Sequence, residues 1–151
     1  MGTWAVDAFG NDDALDWSYE LEKFNDLSLV ESTFDKILTT GSDYLDVTDA
    51  VYALVAVEVV ARMQGNWGER NSYSETVDKW VEKVDLKPSI ELAQKAHKAI
   101  ERILAQQSEL AELWQESDEN DAWHASVQEL KSRVNVQFTV IILSSFLCAP
   151  L

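Results

Sequence analysis

Apolar residues recur at helical spacing along most of the chain. Ala14, Trp17, Leu21 and Phe24 stand three and four apart, one stripe of a helix that follows Asn11-Asp12-Asp13, a run with N-cap chemistry. Val30, Phe34, Ile37 and Leu38 mark the buried face of a second helix, which Gly41 ends. Ahead of it, Ser28-Leu29-Val30-Glu31 has the pattern of a capping box. The serine hydroxyl would accept from the N3 amide while Glu31 reaches back. Val47–Met63 differs from both. Nearly every position is apolar, and Glu58 and Arg62 are the charged residues away from its start. A helix apolar on most sides belongs at the centre of a bundle. With 17 residues and three charges, counting Asp49, it falls short of a membrane span.

Gly65 stands where a C′ residue belongs, and the polar loop Asn66–Ser74 carries Trp67 and Tyr73. A fourth helix is predicted from about Ser74 to Val84, with Val77, Trp80, Val81 and Val84 on one face. Pro88-Ser89 restarts the chain into a fifth, marked by Ile90, Ala93, Ala96, His97, Ile100 and Leu104. Ser108 caps a short sixth helix with Leu110, Leu113 and Trp114. A seventh comes after it, with Trp123, Val127, Leu130 and Val134 at four, three and four. The opening Met1–Gly10 reads as an irregular arm that tucks Trp4 and Phe9 into the core. The expected fold is thus an all-α, single-domain bundle of six or seven helices around a central helix at 47–63.

Residues 1–133 form the expected helical domain. The remaining 134–151 form an apolar C-terminal tail that packs on the domain or on a partner. Val134 to Leu151 holds 18 uncharged residues. Val134, Val136, Phe138 and Val140 alternate with polar residues at strand period, yet Leu130, Val134, Phe138 and Ile141 also continue a helix. A helix on the core or on a neighbouring subunit, an edge-pairing strand and a tail anchor all remain open. The first would permit a homodimer through the tail.

Charge changes the picture most. Twelve Lys and Arg against 27 Asp and Glu give −15, beyond the magnitude of about 2–8 usual for a small soluble domain. The excess is uneven: residues 1–50 carry 12 acids and two lysines, whereas residues 51–151 carry 15 acids and 10 basic residues. Such a field repels nucleic acid and anionic membranes and attracts basic proteins. Solubility alone is the plainer explanation. The lone Cys148 cannot form an internal disulfide, and no signal peptide is visible, so a cytoplasmic setting is expected.

Candidate chemistry is sparse. Asp12, Asp13 and Asp16 cluster at one helix start and Asp43, Asp46 and Asp49 at another, but neither cluster follows a calcium-loop pattern. Acids in a first turn stabilise it through the macrodipole. Asp121-x-x-His124 occurs once, whereas a di-iron bundle needs Glu-x-x-His twice and two further glutamates. No nucleophile elbow, phosphate loop or zinc-protease motif is present, and Cys148 has no basic neighbour to activate it. No catalytic residue, metal or cofactor is therefore assigned. Trp17, Trp80, Trp114 and Trp123 lie in apolar stripes and read as core. Trp67, in its polar loop, reads as an exposed contact residue.

The opening Gly2-Thr3-Trp4 and Phe9-Gly10-Asn11-Asp12-Asp13-Ala14-Leu15-Asp16-Trp17 resembles a bacterial family catalogued as domain of unknown function 4259. Ala56-Val57-Glu58-Val59-Val60-Ala61 is similar to its central helix. Ser108–Trp114 with Ala122-Trp123 is similar to its C-terminal helices. The resemblance covers about residues 2–133. Ala5 stands where the family usually has glycine, and Gly10 where it usually has an acid. It implies a small helical cytoplasmic protein and carries no activity. The functional expectation therefore rests on charge. It is a non-enzymatic acidic module that binds a basic protein, most concretely an immunity protein masking a bacterial toxin, with Asp12, Asp13, Asp16, Asp35, Asp43, Asp46, Asp49 and Trp67 as contacts. The alternative is a structural or regulatory protein that self-associates through its tail.

Overall fold

The computed structural model describes residues 5–136. Seven helices succeed one another: α1 (Asp12–Leu21), α2 (Ser28–Thr40), α3 (Val47–Met63), α4 (Glu75–Val84), α5 (Ile90–Leu104), α6 (Glu109–Gln115) and α7 (Asn120–Arg133). All six others pack on α3, whose burial from Ala50 to Met63 is broken only at Tyr52. Its composition explains this. Small Ala and Val side chains on every face let neighbours approach from all sides, and no polar stripe is left for solvent. Around it the core takes Phe34 and Ile37 from α2, Val77 and Trp80 from α4, Ile100 and Ile103 from α5, and Leu130 from α7. Among the described residues no helix is long and apolar enough to cross a membrane.

The tryptophans assigned to the core are there. Trp17, Trp80, Trp114 and Trp123 are all buried. A buried indole needs an acceptor for its N–H, and two of the four show one directly. The Trp17 indole donates to the Thr33 hydroxyl at 3.1 Å, and that of Trp80 to the Phe24 carbonyl at 2.8 Å. Trp114 and Trp123 stack at 5.9 Å between centroids, joining α6 to α7. Phe9 is buried as expected; Trp4 lies outside the described residues. The tail from residue 137, with Cys148, lies outside them too.

The helix starts mostly carry the expected caps. Asn11 accepts from the Ala14 amide, Asp46 from those of Thr48 and Asp49, Ser89 from Leu92 and Ser108 from Ala111. Ser74 precedes α4 but makes no cap bond of its own. The capping box at Ser28–Glu31 is not formed. Leu27 holds the N-cap position and Ser28 is already helical, so the spacing from serine to the third amide is lost. Asp26 takes over instead, accepting from both the amide and the hydroxyl of Ser28 at 3.1 and 2.6 Å. A charged acceptor two residues upstream competes better than a hydroxyl. Glu31 turns outward to Lys95 on α5.

One irregular crossing joins the α2–α3 loop to the start of α6. Leu45 donates its amide to Gln107 and accepts from that of Glu109, an isolated parallel bridge to Ser108. Arg102 secures both segments of this crossing. Its guanidinium donates to the carbonyls of Gly41 and Asp43 on one side and of Gln106 and Gln107 on the other. The five fixed donors of an arginine suit such a set of acceptors.

These assignments separate two substitutions of similar appearance. Asp46→Ala removes a cap and is expected to cost about 1 kcal/mol in urea denaturation. Ser28→Ala is expected to stay within about 0.5 kcal/mol. Equal losses at the two sites would contradict the cap assignment.

Candidate functional site

The acids nominated from sequence do not share one surface. Asp12 and Asp13 occupy the first turn of α1, and Asp16 lies one turn on. Asp46 and Asp49 sit at the N-terminal end of α3, the first as its cap and the second paired with Lys36 at 3.0 Å. Asp43 is exposed in the loop just before them. Asp35 departs from this group. With Glu31 it holds Lys95 of α5, at 2.8 and 3.0 Å, on the other flank of α2.

Trp67 lies elsewhere. It comes after the C-terminal end of α3, and α3 is about 25 Å long at 1.5 Å per residue. Nor is it the exposed anchor expected. It is half-buried, with the guanidinium of Arg70 4.3 Å from its ring centroid and that of Arg62 at 5.5 Å. Two cations on one indole leave little of it for a partner.

The structure adds residues that sequence reasoning missed. Glu109 of α6 accepts from the Val47 amide at 2.9 Å, adding a second carboxylate to the start of α3. Tyr44, 51% exposed, donates its hydroxyl to Glu112 at 2.7 Å. That bond and the charge of Glu112 oppose phenolate formation and push the Tyr44 hydroxyl up to about 12. Tyr52, the half-buried position on α3, is also raised, first by desolvation and then by Asp13, Asp16 and Asp49. Tyr44 and Glu112 are 68 residues apart, so no local pattern could have joined them.

Asp13 and Asp16 of α1 therefore lie near Tyr52, Glu109 and Glu112 of α6 near Tyr44, and Asp43 and Asp46 just before α3, with Asp12 in the first turn of α1. None of the seven carboxylates forms an ion pair among the described residues. The α3 N-terminus, with its partial positive charge, tolerates them.

The far end of α3 is neutralised from within. Arg62, 2% exposed, donates to Glu58 at 3.2 Å, to Asp78 of α4 at 2.6 Å and to the Glu69 carbonyl at 3.0 Å. Arg133 of α7 reaches the same Glu58 with two donors, and Ser74 donates to Asp78 at 2.7 Å. Gly68 gives the Arg133 guanidinium room, since a Cβ at that position would lie 2.8 Å from it and the arginine would have to shift. The histidines are occupied structurally: His97 bonds the Val134 carbonyl at 2.8 Å, and His124 packs edge-on against Trp123. Among the described residues no group of three or more His, Cys, Asp and Glu is placed to hold a metal ion, and Asp121-x-x-His124 gathers no such group.

The two ends of α3 can be probed separately. Asp78→Ala takes one of two carboxylates from the buried Arg62 guanidinium, leaving Glu58 and the Glu69 carbonyl, and is expected to cost about 3 kcal/mol in urea denaturation. Lys79→Ala, which removes an exposed pair with Glu75, should cost less than about 0.5 kcal/mol. Comparable losses would mean that Arg62 is solvated. In alkaline absorbance titration one tyrosine is expected to ionise near 12, and Glu112→Gln should return it toward 10.0. Because the folded state holds this proton more tightly, the associated stabilisation is complete below pH 10 and fades as pH rises toward 12. A titration left unchanged by Glu112→Gln would refute the Tyr44 assignment.

Comparison with known proteins gives a family and nothing beyond it. No curated protein and no solved structure is significantly similar to the chain. A family model described as Domain of unknown function (DUF4259) matches residues 2–126, ending within α7 rather than at residue 133. Over that span, which takes in the opening arm, the first six helices and half of the seventh, the chain belongs to the DUF4259 family.

Proposed function

We propose that this protein is a non-enzymatic binding module whose acidic end masks a basic surface on a partner protein, most concretely as an immunity protein that neutralises a bacterial toxin. One observation carries the reading. Seven carboxylates stand on α1, on α6 and in the α2–α3 loop about the first half of α3, and none of them forms an ion pair among the described residues, although the chain has 12 lysines and arginines. Solubility requires charge but not this arrangement of it. The two tyrosines beside these carboxylates add the amphipathic contact area that protein interfaces favour.

Acidic inhibitors of basic surfaces gain their association rate from long-range attraction. The attraction is screened over about 10 Å at 0.1 M salt and about 3 Å at 1 M. Immobilised protein is therefore expected to retain a basic protein from cell extract at the lower salt and release it at the higher. Co-expression should relieve that partner's toxicity, and a triple Asp12, Asp13 and Asp16→Asn variant should slow association about tenfold. Retention of no basic protein at low salt, or binding indifferent to salt, would overturn the proposal.

A further inference from the structure

Between α1, α2 and α3 lies a half-open cleft of about 420 Å³, lined by Asp16, Trp17 and Glu20, by Ser32, Thr33 and Lys36, and by Asp49 and Tyr52. Its hydrogen-bonding capacity is one-sided. The Trp17 indole N–H is spent on Thr33, and the hydroxyls of Thr33 and Ser32 are both spent on the Leu29 carbonyl, at 2.7 and 3.0 Å. Three of the donors that could face a ligand are thus turned into the wall. Acceptors remain: the Asp16 carboxylate and the second oxygens of Glu20 and Asp49, beside the half-buried ring of Tyr52, while the buried Trp17 forms the floor. A cation already rests here, since the Lys36 ammonium lies 3.0 Å from Asp49 while its side chain stays 69% exposed. An exposed lysine on a mobile stem is a weakly held occupant that a better donor displaces.

The geometry points to an arginine side chain of the partner protein as the occupant of this cleft, its planar guanidinium lying against the Tyr52 ring and donating to Asp16 and Asp49. This rests on the acidic-end reading and narrows it from a charged surface to one recognition pocket. The shape of the group is what the cleft selects. A guanidinium has five donors in a fixed fork and stacks on aromatic faces, whereas a lysine ammonium offers a compact point charge. Burial raises the Tyr52 hydroxyl first, and the charges of Asp13, Asp16 and Asp49 raise it further.

The test uses the full chain and two synthetic nonapeptides, all-arginine and all-lysine, titrated at about 0.1 M salt with amide and indole resonances monitored by NMR. The arginine peptide is expected to bind at least about fivefold more tightly and to shift the Trp17 indole and the Thr33 and Tyr52 amides to saturation. Asp16→Asn with Asp49→Asn should weaken it about tenfold. Asp118→Asn with Asp121→Asn, the same change in charge outside the cleft, should leave affinity within about twofold. If both pairs weaken binding equally, or the shifts centre on Tyr44 and Glu112, the cleft assignment is overturned while the acidic-end reading stands. If neither peptide binds, both fall. Helix content by circular dichroism verifies that each variant is folded, and Tyr52→Phe, which keeps the ring, should retain the preference for arginine.

Discussion

A helix enclosed on all sides has no solvent face on which to place charge, and α3 is such a helix from its second turn onward. Whatever ionised groups it carries must be answered by its neighbours. Glu58 and Arg62 are the two in its interior, and the answer to them organises this end of the molecule. Asp78 positions α4, Arg133 closes the end of α7 against Glu58, and the Glu69 carbonyl holds the loop in which Trp67 lies. Replacing one member of such a set leaves another buried charge short of a partner, which can cost more than the set contributes. The architecture here is therefore specified by electrostatic closure as much as by apolar packing.

Local pattern went a long way in this chain because its helices are amphipathic and its caps are chemical. The bounds of α3 could be read from composition, and Asn11, Ser89 and Ser108 act as caps because each is a short polar side chain before an apolar stripe. The reading failed where two local solutions competed, as at Ser28, where the better acceptor lay upstream. It also failed where function depends on neighbours far apart in sequence. Asp35 and Lys36 are adjacent, yet one faces α5 and the other α3. Trp67 looked exposed because its loop is polar, but that loop folds so that Arg62, five residues before, and Arg70, three after, both lie against its ring. Tyr44, Glu109 and Glu112 give no local signal at all; they enter the acidic end only because Leu45 crosses Ser108.

That crossing is the hinge between fold and surface. The bridge at Leu45 and the four carbonyls held by Arg102 fix where the α2–α3 loop meets α6, and so bring Glu109 to the first amides of α3. Without it, Asp46 would cap the helix alone and the acids of α6 would belong to another face. The concentration of negative groups is thus a product of tertiary structure, although the −15 that supplies it is visible in composition.

The two ends of α3 differ in their immediate charge: buried pairs answer each other at one, carboxylates without an ion pair among the described residues stand about the other, and the length of the helix separates them. A charge separation of this kind contributes an electric moment along the helix. In the field of a basic surface the molecule experiences a torque as well as an attraction, which rotates the carboxylate-bearing pole forward before any atoms touch. Pre-alignment of this sort shortens the rotational search that limits most encounters.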